Sequence, residues 1–134
     1  YCMPDKQEKN NFEEWLKKAE EDEFAGNEIL KAERFLAPAC FHFQQMAEKL
    51  LKALLIFYKK NFPKTHDLLE LQTMLLDIAP DINDYEKDLD ILNVYYIETR
   101  YPGDYPDFTL KEAKEAKEAA DKIKGFVFNK INKV

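Results

Sequence analysis

Glycine is scarce: three in 134 residues. That is too few for the dense turns of a sheet protein, and neither a glycine-rich phosphate loop nor a Gly-x-Ser-x-Gly elbow occurs. Cysteine is nearly as rare. Cys2 stands close to the first residue of the sequence and Cys40 lies in an apolar helical pattern, so no disulfide framework is expected, no Cys-x-x-Cys pair exists, and a reducing, cytoplasmic setting fits. The two histidines do not make a di-iron bundle, because Ala39 and Pro63 stand three residues before His42 and His66 where glutamates would be needed. A metal or other cofactor is therefore not expected. The longest unbroken apolar run, 53–58, is far below the roughly 20 residues that span a bilayer, and no cleavable apolar segment opens the sequence, so a soluble protein without a membrane partner is expected. A surplus of positive charge is missing too: the net charge is −6, so any contact with nucleic acid has to come from a local cluster.

What is present is helical. With 46% hydrophobic and 13% aromatic residues the chain can build one real core, and its length favours a single domain over 1–134, with 1–8 a loosely ordered N-terminal segment. Periodicity predicts five helices, four long and one short, in an all-α up-and-down bundle. The first, 9–34, aligns Phe12, Leu16, Ala19, Gly26 and Leu30, and is read as continuous through Gly26. The second, 36–60, carries Leu36, Cys40, Phe43, Ala47, Leu50, Leu54 and Phe57 on one side and Phe41, Glu48, Leu51, Leu55 and Tyr58 on another. A helix apolar over so much of its circumference is central, or faces both a core and a partner chain. Asn61-Phe62-Pro63 stops it. A short third helix starts at Thr65 or Asp67 and runs to 78, and a fourth, 83–100, opens with Asn83 and Glu86 as a reciprocal cap. The fifth starts from the stronger box Thr109 to Glu112, with Leu110, Ala113, Ala116, Ala120, Ile123, Val127 and Ile131 inward. The lysines of KEAKEAK, 111–117, alternate with glutamates and read as a solvated face.

Three polar positions stand out. The stripe Tyr85, Leu89, Leu92, Tyr96 runs straight into Arg100, and the stretch TRYPGDYPDF follows. Arg100 either completes a functional site or sits as a cation at a helix C-terminus with its stem on the core. Tyr101, Tyr105 and Phe108, spaced by Pro102 and Pro106, either plug the end of the bundle or present aromatic faces beside a guanidinium, a pairing suited to a nucleotide. His42 falls near Gln45, Met46 and Lys49 on its helix, and His66 reads most simply as part of a capping turn with Thr65 and Asp67.

In order along the chain, Phe41-His42-Phe43-Gln44-Gln45-Met46-Ala47-Glu48-Lys49, Lys52-Ala53-Leu54-Leu55, Thr65-His66-Asp67-Leu68 and Arg100-Tyr101-Pro102 resemble the HEPN family, the higher-eukaryote and prokaryote nucleotide-binding domains, over about 12–131. The resemblance implies a helical bundle that forms a homodimer, with the ends of both fourth helices at a shared cleft. It also implies a nucleotide or RNA ligand at Arg100, Tyr101 and Tyr105, lined by His42 and Gln45, and a minimal nucleotidyltransferase as protein partner in a toxin–antitoxin-like pair. Ribonuclease members place a histidine after the arginine with four to six residues between them. Here Tyr105, Pro106 and Asp107 stand there, so the acid/base role lacks its histidine. A ribonuclease using Arg100 with Tyr105 or Asp107, and a dimerisation module without ligand, stay as alternatives.

Overall fold

The computed structural model describes residues 11–96 and 107–132. Its described part is all-α, with helices α1 (Phe12–Ala32), α2 (Ala37–Phe57), α3 (Leu68–Leu75), α4 (Glu86–Asn93) and α5 (Leu110–Asn132), and 3-10 turns at Pro80–Tyr85 and Val94–Tyr96. No helix among the described residues is long and apolar enough to cross a membrane.

Helix α1 starts where Asn11 accepts a bond from the Glu14 amide at 3.2 Å, with Glu13 and Glu14 favourably placed against the helix dipole. It passes unbroken through Gly26 because the backbone there lies against a buried ring of α2: a Cβ would stand 2.7 Å from Phe43 Cε1. The helix ends on Glu33, left-handed at φ 59°.

Helix α2 is the centre of the molecule and packs against every other helix. Of the second apolar side expected from sequence, Leu51 and Leu55 are covered within this one chain and are as buried as Leu54, while Phe41 stays exposed. Its N-terminus has no side-chain cap of its own, and that need is met from far away: the Asp107 carboxylate accepts from the Leu36 amide at 3.2 Å and the Ala37 amide at 3.0 Å. At the other end the Lys59 and Lys60 amides return to Ile56 and Leu55 carbonyls, and the Lys60 ammonium ties Met74 O and Asp77.

Two expected helices differ. Helix α3 begins after Asp67, as read, but stops at Leu75, where the Ile78 and Ala79 amides both turn back onto the Leu75 carbonyl ahead of Pro80. The fourth helix is two turns long rather than 83–100, making three long and two short helices in the described residues. Asn83 does not cap it: its side-chain oxygen accepts from Gln72 Nε2 at 2.8 Å, and the same Nε2 reaches Glu86 at 3.2 Å. The Pro80 turn is thereby held as 3-10, and α4 starts only at Glu86.

The α5 box forms as expected, with Glu112 N to Thr109 Oγ1 at 3.0 Å and Thr109 N to Glu112 Oε1 at 2.8 Å. Ala113, Ala116, Ala120, Ile123 and Val127 are buried, and the small alanines let α5 lie close to α2. Lys111 and Lys114 are exposed.

Candidate functional site

Most of the circumference of α2 is core. Its remaining stripe holds Pro38, Phe41, His42, Gln45 and Lys49, at the three- and four-residue spacings that share a helix face, with Glu48 and Lys52 just beneath. Two buried carboxylates organise this stripe.

The first is Glu48, 3% exposed, paired with Lys52, 5% exposed, at 2.9 Å through Oε2. The Lys52 ammonium also lies 5.5 Å from the ring centres of Trp15 and Phe62, which offset part of its lost hydration. Glu48 Oε1 meets His66 Nδ1 at 2.9 Å and Gln45 Nε2 at 3.3 Å. A carboxylate already accepting from an ammonium fixes the imidazole as the donor, so Nδ1 carries its proton and Nε2 is left to a further partner. That ring is open to solvent, its side chain 58% exposed.

The main chain under His66 is fixed from three elements. Gln44 Nε2 donates to the His66 carbonyl at 3.0 Å, Thr65 Oγ1 accepts from the Asp67 amide, and Asp67 caps α3 through the Leu69 amide. Asn93 of α4 accepts from the Leu68 amide at 2.9 Å and donates to Asp67 at 3.0 Å. Tyr96 lies tilted beside the imidazole, ring centres 6.2 Å apart and planes at 36°.

The second carboxylate repeats the pattern on the α1 side. Asp22 of α1 receives Lys49 Nζ on one oxygen at 2.5 Å and His42 Nδ1 on the other at 2.8 Å. The His42 ring in turn packs edge-on against Phe41, centres 5.9 Å apart. Both histidines of the chain are thus held by one constellation, a buried carboxylate with lysine on one oxygen and imidazole on the other.

The residues expected at the site divide. His42 and Gln45 lie together on the α2 stripe. Arg100, Tyr101 and Tyr105 fall outside the described residues; Tyr96, beside His66, is the last described residue before them, four positions ahead of Arg100. Asp107 spends both carboxylate oxygens on the first turn of α2. Phe108 plugs the bundle end, edge-on to the ring of Tyr95 at 4.9 Å. Behind them the Cys40 thiol is pushed up to about 12, first by burial, with the hydrogen bond to Tyr95 acting against it, which leaves an inert thiol rather than a nucleophile. Burial likewise raises Tyr95.

Sequence reasoning missed Asp22, Glu48 and Lys52, and gave His66 only a turn role. One signal was legible: Glu48 and Lys52 are charges four apart on a helix face otherwise apolar, the same anomaly that drew attention to Arg100. Asp22 carries no such mark in the glutamate-rich run around it. No group of three or more His, Cys, Asp or Glu that could hold a metal occurs among the described residues.

An all-α bundle with a polar site on its central helix is the class these features define. The family model described as HEPN domain matches residues 12–131, and the chain belongs to that family. TT1696 from Thermus thermophilus is similar in structure, at 33% identity and a TM-score of 0.75 over 90% of this chain and 98% of that one. ST0689, an archaeal HEPN homologue, is similar at 27% identity and a TM-score of 0.71 over 90% of this chain and 97% of that one. No protein of curated function matches.

Proposed function

We propose that this HEPN protein binds a nucleotide or RNA ligand where the Glu48–His66 pair and Tyr96 meet the segment carrying Arg100. The supporting observation is the anchoring of His66: a buried ion pair beneath, a fixed main chain, and a solvent-open imidazole with one nitrogen uncommitted. Such preorganisation is what a polar ligand needs and what a bare helix-connecting turn does not. Arg100 engages phosphate, Tyr101 and Tyr105 flank base or ribose, and Gln45 and His42 line the cleft from α2. The protein acts as a homodimer and as companion of a minimal nucleotidyltransferase in a toxin–antitoxin-like pair, a reading drawn from the family resemblance of the Arg-Tyr-Pro segment.

Thermal unfolding with added nucleotides and short RNA tests the ligand. Wild type at ten times Kd gains about 1.4 kcal/mol, and Arg100→Ala loses that gain. Absence of stabilisation by any nucleotide or RNA at millimolar concentration overturns the reading. Mass measurement in solution checks the dimer, and co-purification with a minimal nucleotidyltransferase checks the companion.

Metal-independent RNA cleavage has one observation in its favour. Asp107 is taken up in capping, but His66 offers an imidazole oriented by a carboxylate, the arrangement that general acid/base catalysis uses. Arg100- and His66-dependent cleavage in the presence of chelator would establish it.

A further inference from the structure

Each imidazole comes with an aromatic ring at its side: Tyr96, half-buried, beside His66, and Phe41, 40% exposed, beside His42. Each also comes with its own carboxylate and lysine, so neither clamp carries net charge while its ring is neutral. In an imidazolium both nitrogens donate, so a ring already bonded to carboxylate through Nδ1 can take a phosphate oxygen through Nε2 with uptake of one proton. An aromatic face next to that contact accepts a base whatever its sequence. Phosphate contact plus stacking face is one nucleotide's worth of recognition, and the stripe holds it twice.

The two units stand apart. Their footings on α2, His42 and Glu48, are six residues or roughly 9 Å apart along the axis. They also lie on opposite edges of the stripe, one against α1 through Asp22 and one toward the turn before α3. A single phosphate cannot serve both rings. Gln45 lies between them, its Nε2 held by Gln44 and Glu48.

We infer that the ligand is a single-stranded oligonucleotide rather than a mononucleotide, one nucleotide docking at His66 and Tyr96 and a neighbour in the same strand at His42 and Phe41. The inference rests on the nucleotide-binding reading above, and extends it by naming the substrate class and a second subsite. Ribose and deoxyribose strands share the phosphate and base chemistry, so the test carries both.

Because the chain has two histidines, carbon-correlated proton spectra of the imidazoles contain one pair of ring signals from each, assigned with His42→Gln and His66→Gln. AMP is expected to move the His66 signal alone. Hexaadenylate is expected to move both and to bind about tenfold tighter than AMP. Phe41→Ala, whose side chain is only partly buried, is expected to erase that advantage while AMP affinity stays as it was. A DNA hexamer equal to RNA supports the inference through phosphate and base alone; a preference for RNA supports it with a contact to the 2′-hydroxyl. A hexamer that moves His66 only, or binds no tighter than AMP, overturns the inference and leaves nucleotide binding intact. If neither ligand moves either ring, nucleotide binding itself falls.

Discussion

Replacing Glu48 by leucine probes the pair on which the site stands. Lys52, with 5% of its surface exposed, has Glu48 as its anion at 2.9 Å. Leucine fills nearly the same volume as glutamate, so little of the loss comes from packing; what remains is an ammonium buried between the Trp15 and Phe62 rings without its counter-charge. Breaking one side of a buried pair typically costs about 3–5 kcal/mol. For a chain of this size that lowers Tm by roughly 12–20 °C, at about 4 °C per kcal/mol. Adding Lys52→Met removes the orphaned charge and keeps a flexible apolar stem against both rings, and the double variant should return to within about 1 kcal/mol of wild type. Urea unfolding of wild type, both single variants and the double variant closes the cycle. A Glu48→Leu cost below about 1 kcal/mol refutes the reasoning, since Lys52 would then find water. A double variant as unstable as Glu48→Leu refutes it differently, placing the loss on the carboxylate. The double variant also separates stability from binding: its fold is restored, yet His66 lacks its acceptor, so nucleotide-induced stabilisation should stay absent.

Gly26→Ala drives a methyl to 2.7 Å from Phe43 Cε1, in a ring with no room to retreat, and should lower stability by about 1–2 kcal/mol after the roughly 1 kcal/mol gained in helix propensity; Phe43→Leu in the same chain should relieve it, read by urea midpoints. Asp107→Ala frees the Leu36 and Ala37 amides and should cost about 1 kcal/mol by the same assay, with helix content at low denaturant preserved. The Cys40 thiol, near 9.0 when unfolded and raised to about 12 by burial, keeps its proton in the native state while the unfolded chain loses it. Its contribution to stability is complete below pH 9 and is lost as pH climbs toward 12, so Cys40→Ala should flatten the alkaline decline in Tm relative to wild type.

Local signals in the sequence located the long helices, because their caps and stripes are written within a few residues. Thr109 to Glu112 is such a signal, and Gly26, read as compatible with a continuous helix, proved to be where the α1 backbone lies against the Phe43 ring of α2. Asn83 and Glu86 have the same spacing, yet a residue eleven positions away, Gln72, takes the Asn83 oxygen; tertiary demand overrode local pattern. The cap of α2 was illegible for a related reason, since its donors and its acceptor are about seventy positions apart. The site behaves likewise. His42 and Gln45 were named from their own helix, whereas His66 gained its part only when the fold brought it to Glu48, eighteen positions earlier, and Asp22 only when α1 was laid against α2.

A chain of net charge −6 is at first sight a poor host for a polyanion, and the proposed docking at the two clamps has to answer that objection. Fixed lysines alone would attract phosphate everywhere along their reach. Here Lys49 and Lys52 are consumed by Asp22 and Glu48, so the stripe offers little field at a distance and steers nothing. On the proposed reading, charge beyond that of Arg100 enters through the imidazoles, one proton per ring, when a phosphate arrives to share it. Recognition on such a surface depends on contact rather than on long-range attraction, so its salt dependence should count the phosphates seated on rings and not the lysines nearby. The rings must then be held still, and both clamps use α2, the helix every other helix packs against: Glu48 of α2 anchors His66, and His42 stands on α2 itself against Asp22 of α1.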